Sequence, residues 1–335
     1  MSKRLSLTQY SEGILSGNRF ALSRAITLIE SELETDKELA ALLMDTILPH
    51  TGNSIRIGIT GVPGVGKSTF IEAFGTHITN AGKKLAVLAI DPTSQRTGGS
   101  IMGDKTRMET LGRELLAFIR PSPAGSSLGG VSRKTRETLL LCEAAGYEVI
   151  LVETVGVGQS ETAVSNMVDF FLLLMLAGAG DELQGIKKGI MELADAVVIT
   201  KADEGNEGKA RLAQAEYQSA LHLFPPTENA WFPQVLTCSA LKKIGIQEIW
   251  ELILKFQEQN TQNGWIVKKR QHQNKAWLHE IIRNELENQF YNHFEIKSLL
   301  LEKEQLVEEN ELHVGKAAQE LLGLFFEKIN KSVYL

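Results

Sequence analysis

The sequence predicts an α/β fold with a mainly parallel central sheet flanked by helices, an N-terminal helical lead and a C-terminal helical extension. Three observations carry this. Seven short runs between residues 55 and 240 are mostly apolar at successive positions rather than alternating, as strands covered on both faces by helices are. All eight prolines lie at or before Pro233, and only three of the 29 glycines lie beyond residue 250, so turns crowd the middle and the end reads as helix. Residues 1–52 carry apolar positions at helical spacing: Ala21, Ala25, Leu28 and Ile29, then Leu39, Leu42 and Leu43, closed by Pro49.

The runs are IRIGITG (55–61), KLAVLAID (84–91), LLAFIR (115–120), YEVILVET (147–154), DFFLLLML (169–176), DAVVITK (195–201) and VLTCSA (235–240). Each is followed by a loop and often by a helical pattern, the signature of a parallel sheet with helical crossovers. The expected organisation is a helical segment over 1–52, a sheet domain over 53–260 and a helical extension over 261–335. Sheets of this kind bind ligands at the carboxyl ends of their strands, which directs attention to the residues after each run.

Composition narrows the function classes. The 335 residues are 43% apolar and 23% charged, with 35 Lys plus Arg against 41 Asp plus Glu and a net charge of −6. That is the balance of a globular protein with a full core, and it provides no global field for nucleic acid or an anionic membrane. The longest apolar run, Phe170–Gly180, has 11 residues, short of the roughly 20 a membrane helix needs. The N-terminus has no apolar signal core, and the two cysteines, Cys142 and Cys238, form no CxxC, which argues against a disulfide framework or a cysteine metal site. A cytoplasmic location is expected. The seven histidines are scattered, Lys268-Lys269-Arg270 reads as a solvated helix start, and Trp277, Ile281, Ile282, Leu286 and Phe290 form a stripe for a core or a subunit seam.

The first run ends in Gly61-Val62-Pro63-Gly64-Val65-Gly66-Lys67-Ser68-Thr69, a complete G-x-x-x-x-G-K-[ST] loop between a strand and a helical pattern. Its glycines let backbone N–H groups point at phosphate oxygens, and the helix N-terminus adds its positive dipole end. Lys67 is expected to reach the β and γ phosphates, and Ser68 to ligate Mg²⁺.

Carboxylates for that cation are expected at the ends of neighbouring strands. Asp91 ends the second run, Asp104 follows in the same loop, and Glu153 ends the fourth. Asp104 alone reads equally well as a solvated loop carboxylate. Glu153 with Gly156 has a D-x-x-G layout in which Glu replaces Asp, and the glycine N–H is placed to sense the γ-phosphate. Thr200-Lys201-Ala202-Asp203 ends the sixth run and fits [NT]-K-x-D. There the carboxylate accepts from guanine N1–H and N2–H₂, a donor pair adenine lacks. Ser239, Ala240 and Leu241 follow the seventh run and fit the loop that closes over the base.

Longer stretches carry a more specific signal: ALSRAITLIES, GVPGVGKST, RPSPAGSSLGGVSRKTRE, ETVGVGQSE and GAGDELQGIKKGIMELAD. Over nearly the whole chain these residues resemble the MeaB/ArgK-type P-loop GTPases associated with methylmalonyl-CoA mutase. The resemblance implies a P-loop NTPase fold and a homodimer built through the C-terminal extension. It also implies GTP hydrolysis that is slow alone and faster with a partner. The implied role is chaperone of an adenosylcobalamin-dependent acyl-CoA mutase (methylmalonyl-CoA mutase or an isobutyryl-CoA mutase relative), gating cofactor loading and protecting the enzyme. By motif, Lys67 and Ser68 take phosphate and Mg²⁺, Asp91, Asp104 and Glu153 surround the metal, and Lys201 and Asp203 take guanine. Gly178–Lys188, with Asp181, Gln184, Lys187 and Lys188, matches a third switch. Thr200 stands where the family usually has Asn, and loss of the amide is expected to loosen the tie between base loop and phosphate loop. Gln159, three residues after Gly156, is the candidate for orienting the hydrolytic water. Two alternatives share parts of the pattern: a nickel-delivery GTPase, which needs Cys/His ligands near the nucleotide where this chain has no CPC, CxxC or His-rich tract, and an ArgK-type transport-protein kinase, which needs ATP.

Overall fold

The computed structural model describes residues 4–90, 108–122, 128–154, 160–178, 188–225 and 227–333. Contacts divide the chain into two compact units, Met1–Asn274 and Lys275–Leu335.

Among the described residues the first unit is built on a sheet of seven strands: β1 (Ile55–Gly61), β2 (Leu85–Ile90), β3 (Ala117–Ser122), β4 (Val149–Thr154), β5 (Phe170–Leu176), β6 (Ala196–Thr200) and β7 (Gln234–Thr237). Their order is β3-β2-β4-β1-β5-β6-β7, and every pairing is parallel. The strands occupy the predicted runs, with β3 two residues later than LLAFIR. Successive apolar positions split between two covered faces. Ile55, Ile57, Val149 and Leu151 join one cluster, under helices α4 (Lys67–Asn80) and α9 (Ile246–Gln262). Ile150, Val152, Ala86 and Leu88 join the other, under α1 (Leu7–Leu15), α2 (Arg19–Glu30), α3 (Glu34–Ile47) and α5 (Leu128–Ala144). Both faces are buried, so the runs are continuous rather than alternating.

The N-terminal helices are well delimited. Ser6 and Gln9 cap α1 reciprocally, and the Asn18 side chain accepts from Phe20 and Ala21 N–H at the start of α2. Leu22, Ile26 and Leu43 on these helices are fully buried. Short helices α6 (Ser160–Ser165) and α7 (Lys188–Leu193) follow β4 and precede β6, and α8 (Glu207–Leu221) covers β5, β6 and β7 through Ala210, Tyr217 and Leu221.

Helix α10 (Trp265–Asn292) overturns one expectation. The Lys268-Lys269-Arg270 start is not simply solvated. Lys268 pairs with Glu228 at the surface, but Lys269 donates to the Asp169 carbonyl at 2.7 Å. Arg270, with its side chain 14% exposed, forks onto Asp169 at 2.8 and 2.6 Å and donates to the Gly52 and Ser54 carbonyls. The cause is the concentration of buried carboxylates at the amino ends of the strands. Asp169 precedes β5, and Glu143 pairs with Arg56 of β1 through two bonds of 2.9 Å. Buried charges persist only when paired in this way.

The second unit holds the end of α10, then α11 (Phe294–Glu308) and α12 (Val314–Val333), around a small core of Ile296, Leu321 and Phe325 packed by Phe290, Leu299 and Leu300. Of the predicted stripe, Phe290 joins this core, whereas Ile282 and Leu286 are 47% and 55% exposed. Among the described residues no helix is long and apolar enough to cross a membrane.

Candidate active site

The loop between β1 and α4 is shaped by its glycines. Gly64 and Gly66 adopt φ of +78° and +94°, conformations that cost an L side chain strain. At Gly61 a Cβ would lie 2.5 Å from the Leu174 carbonyl oxygen of neighbouring β5, so only glycine lets the strand end so close to its partner. Between them Val65 is buried and donates back to Val62 at 3.2 Å, while Pro63 and Gly64 face solvent. Helix α4 begins at Lys67, so the first N–H groups, those of Lys67, Ser68 and Thr69, have no acceptor within the helix.

Lys67 folds over this loop, its ammonium donating to the Gly61 carbonyl at 2.7 Å and more weakly to that of Val62 at 3.4 Å. Burial pushes its pKa below the ordinary lysine value, and the nearby charges of Glu153 and Glu161 oppose that shift. Glu153 is 5% exposed, in register with Ile59 of β1 on one side and Ala89 of β2 on the other. A carboxylate buried at the end of a central strand, close enough to act on the loop lysine, is not a solvated loop charge. Half-buried Ser68, with its hydroxyl, and Glu153 offer the hard oxygen donors that suit Mg²⁺. Asp91, Asp104, Gly156 and Gln159 lie outside the described residues, as do Asp181, Gln184 and Lys187 and the side chain of Lys188. Among the described residues no group of three or more His, Cys, Asp or Glu is placed to hold a metal.

The carboxyl ends of β6 and β7 build the second half. Thr200 is 3% exposed, and its hydroxyl donates to the Val65 carbonyl at 2.8 Å, with the Met175 carbonyl at 3.2 Å. The tie expected to loosen without an amide is therefore present, made by the hydroxyl. Lys201 holds φ of +55°, its carbonyl accepting from Asn206 Nδ2 at 2.9 Å. Its stem runs back over the phosphate loop, with Cε 4.0 Å from where a Cβ on Gly66 would lie. Asp203, 9% exposed, accepts a short hydrogen bond from the Ser239 hydroxyl, which in turn accepts from Lys242 N–H at 3.1 Å. Ser239 and Ile244 exchange two backbone bonds of 3.0 Å that close the turn. Ala240 packs on the core beside it, while Leu241 is 73% exposed.

Residues 22–295 match the family model described as methylmalonyl Co-A mutase-associated GTPase MeaB. The chain belongs to the MeaB family of GTPases. It is 50% identical over 293 residues to a GTPase ArgK of Escherichia coli, covering 88% of this chain and 87% of that protein. It is 46% identical over 323 residues to a mitochondrial methylmalonic aciduria type A homolog of Mus musculus, covering 93% and 78%. Among solved structures, one described as a LAO/AO transport system kinase superposes with a TM-score of 0.77 at 40% identity, covering 97% of this chain and 99% of that one.

In this MeaB-family GTPase the structure adds residues the motifs did not single out. Glu161, 2% exposed in the first turn of α6, acts on Lys67 together with Glu153. It stands inside ETVGVGQSE, yet no spacing rule marks it. Asn206 and the Lys242 N–H brace the base loop from positions that carry no motif.

Proposed function

We propose that this chain is a GTP-hydrolysing chaperone of an adenosylcobalamin-dependent acyl-CoA mutase, gating cofactor loading and protecting the mutase. The observation that carries the reading is the match of residues 22–295 to the family of mutase-associated GTPases. The 46% identity to a methylmalonic aciduria type A homolog supports it.

In this reading Asp203, held by Ser239, accepts from the two guanine donors, and Lys201 packs along the base. Lys67 leaves its loop carbonyls to reach the β and γ phosphates, with backbone N–H groups of residues 64–69 around them. Ser68, Glu153, Asp91 and Asp104 would be the oxygen donors for Mg²⁺, which would supply neutralisation of phosphate charge while the bond from the γ-phosphorus to the β–γ bridging oxygen breaks. Gln159 orients the water whose oxygen bonds to the γ-phosphorus, giving GDP and phosphate. The residues after Gly178 relay nucleotide state to the mutase, and the C-terminal helices pair two copies. The protein works in the cytoplasm.

The test is complex formation with a purified mutase of this class, followed by gel filtration with a non-hydrolysable GTP analogue and with GDP. The reading expects a complex whose stability differs between the two nucleotides. Co-elution with no mutase of the class, under either nucleotide, would overturn it. A transport-protein kinase predicts tighter ADP than GDP binding, and the Asp203–Ser239 geometry supports guanine instead.

A further inference from the structure

Strands β1 and β4 run in register as far as the pair Ile59 and Glu153. One residue further they part: Thr60 of β1 is level with Leu173 of β5, and Thr154 of β4 with Ile90 of β2. A parting of central strands at their carboxyl ends opens the crevice where parallel sheets bind ligands. It also ends the paired register between β1 and β4 at the place where their functional residues begin. Glu153 stands at the end of one strand, and the phosphate loop starts from Gly61 at the end of the other.

Two side chains join the strands beyond that point. The Thr154 hydroxyl donates to the Thr60 hydroxyl oxygen at 2.8 Å, with the Ile59 carbonyl at 3.5 Å. Thr60 is 1% exposed and Thr154 is fully buried. Two valines would have nearly the same shape and an equal liking for strands. An apolar pair packs this ladder lower down, at Ile57 and Leu151. A buried hydroxyl pair adds little net stability over such an apolar pair, but it adds direction, because the bond fixes how far apart the two strand ends stand. Each threonine is also one residue from a group of the site. Gly61, after Thr60, has the carbonyl that receives the Lys67 ammonium at 2.7 Å. Glu153, before Thr154, is 5% exposed, and its charge acts on that same ammonium.

We propose that Thr60 and Thr154 are positioning residues for GTP hydrolysis: their hydroxyl pair sets the distance between Glu153 and the root of the phosphate loop that carries Lys67. This role rests on the reading that Lys67 and Glu153 act in the hydrolytic step. The two hydroxyls are bonded to each other inside the sheet, so they work through those neighbours. Without the bond the carboxylate and the loop are free to drift apart, and a misplacement of about 1 Å costs up to roughly a hundredfold in rate.

The experiment measures kcat and KM for GTP, and the melting temperature, in wild type, T60V, T154V, the T60V/T154V double variant, T60S, T154S and, as a control, E153Q. Each single valine should lower kcat about tenfold or more while KM stays within about twofold. The double variant should fall no further than the worse single one, because both remove the same bond. The serines keep the hydroxyl, so kcat should hold within about threefold while the lost methyl lowers the melting temperature. The double valine should do the reverse. Its melting temperature returns close to wild type, since replacing both partners by apolar groups of the same shape is nearly neutral, and its kcat stays low. Turnover that follows melting temperature across the set overturns the positioning role, as does wild-type kcat in the double valine or losses that multiply in it. If a single valine variant fails to fold, the double valine against the serines decides. Wild-type kcat in E153Q instead overturns the reading of Glu153, and the role of the threonine pair with it.

Discussion

The Thr200 hydroxyl donates to the Val65 carbonyl at 2.8 Å, so a side chain at the end of β6 is bonded to the loop that follows β1. The two halves of the proposed nucleotide site are thereby one structural piece: the residue before Lys201 in the base loop holds the residue before Gly66 in the phosphate loop. Replacing Thr200 by valine keeps the shape and removes the donor, leaving a buried carbonyl short of a partner at a cost of about 1–3 kcal/mol. The T200V variant should bind GDP roughly tenfold more weakly or worse by calorimetry. Restoration toward wild-type affinity is expected in T200N, whose amide also donates.

Base selectivity should reside in Asp203. Its carboxylate is nearly buried and oriented by Ser239. The D203N substitution should cut the ratio of GDP to ADP affinity by roughly a hundredfold or more, because an amide cannot accept both guanine donors. The S239A variant should lower GDP affinity by several-fold without raising ADP affinity. Competition binding against a fluorescent guanine nucleotide reads both, and an undiminished GDP preference in D203N contradicts the assignment.

Lys67 illustrates a site at odds with stability. Burial disfavours its charged form, so Lys67→Met removes a poorly solvated cation. Turnover should fall at least about a hundredfold, because no ammonium then stabilises charge developing on the phosphates. The melting temperature of the nucleotide-free protein should hold or rise. A clear drop in melting temperature would show that the lysine is structurally required.

The charge cluster beneath the sheet predicts an acid limb to stability. Burial pushes Glu143 up, but hydrogen bonds and charge from Arg56, the Ser54 hydroxyl and the charge of Arg270 outweigh it and leave its pKa below the ordinary value of 4.5. A carboxylate depressed in the folded state stabilises it above the unfolded value, and that stability is lost as pH falls through the folded one. Melting temperature should therefore decline below about pH 4.5. In E143Q the decline should be shallower, from a baseline already lowered because Arg56, its side chain 10% exposed, loses its bidentate partner.

Much of the architecture is legible in the sequence because the driving pattern is local. Continuous runs such as YEVILVET mark strands covered on both faces, and GVPGVGKST fixes a strand, a loop and a helix within a few residues. What the sequence hides depends on distant pairing. Arg270 looks like part of a solvated basic start until Asp169, about a hundred residues away, is brought under it. Glu72 looks like an ordinary helical acid until Thr110 and Leu111 arrive at its carboxylate. Thr200 misleads for a related reason. Motif comparison registers a missing amide, whereas only the backbone position of Val65 shows that a hydroxyl reaches the same strand-to-loop tie.

One measurement decides whether this GTPase serves a cobalamin-dependent acyl-CoA mutase, as proposed. Steady-state GTP turnover is recorded for the purified chain alone, with a purified mutase of this class, and with the mutase plus the Lys67→Ala variant in place of wild type. Turnover should be slow alone, rise clearly on adding mutase, and stay without that rise when K67A replaces wild type. Turnover that no mutase of the class accelerates would contradict that role.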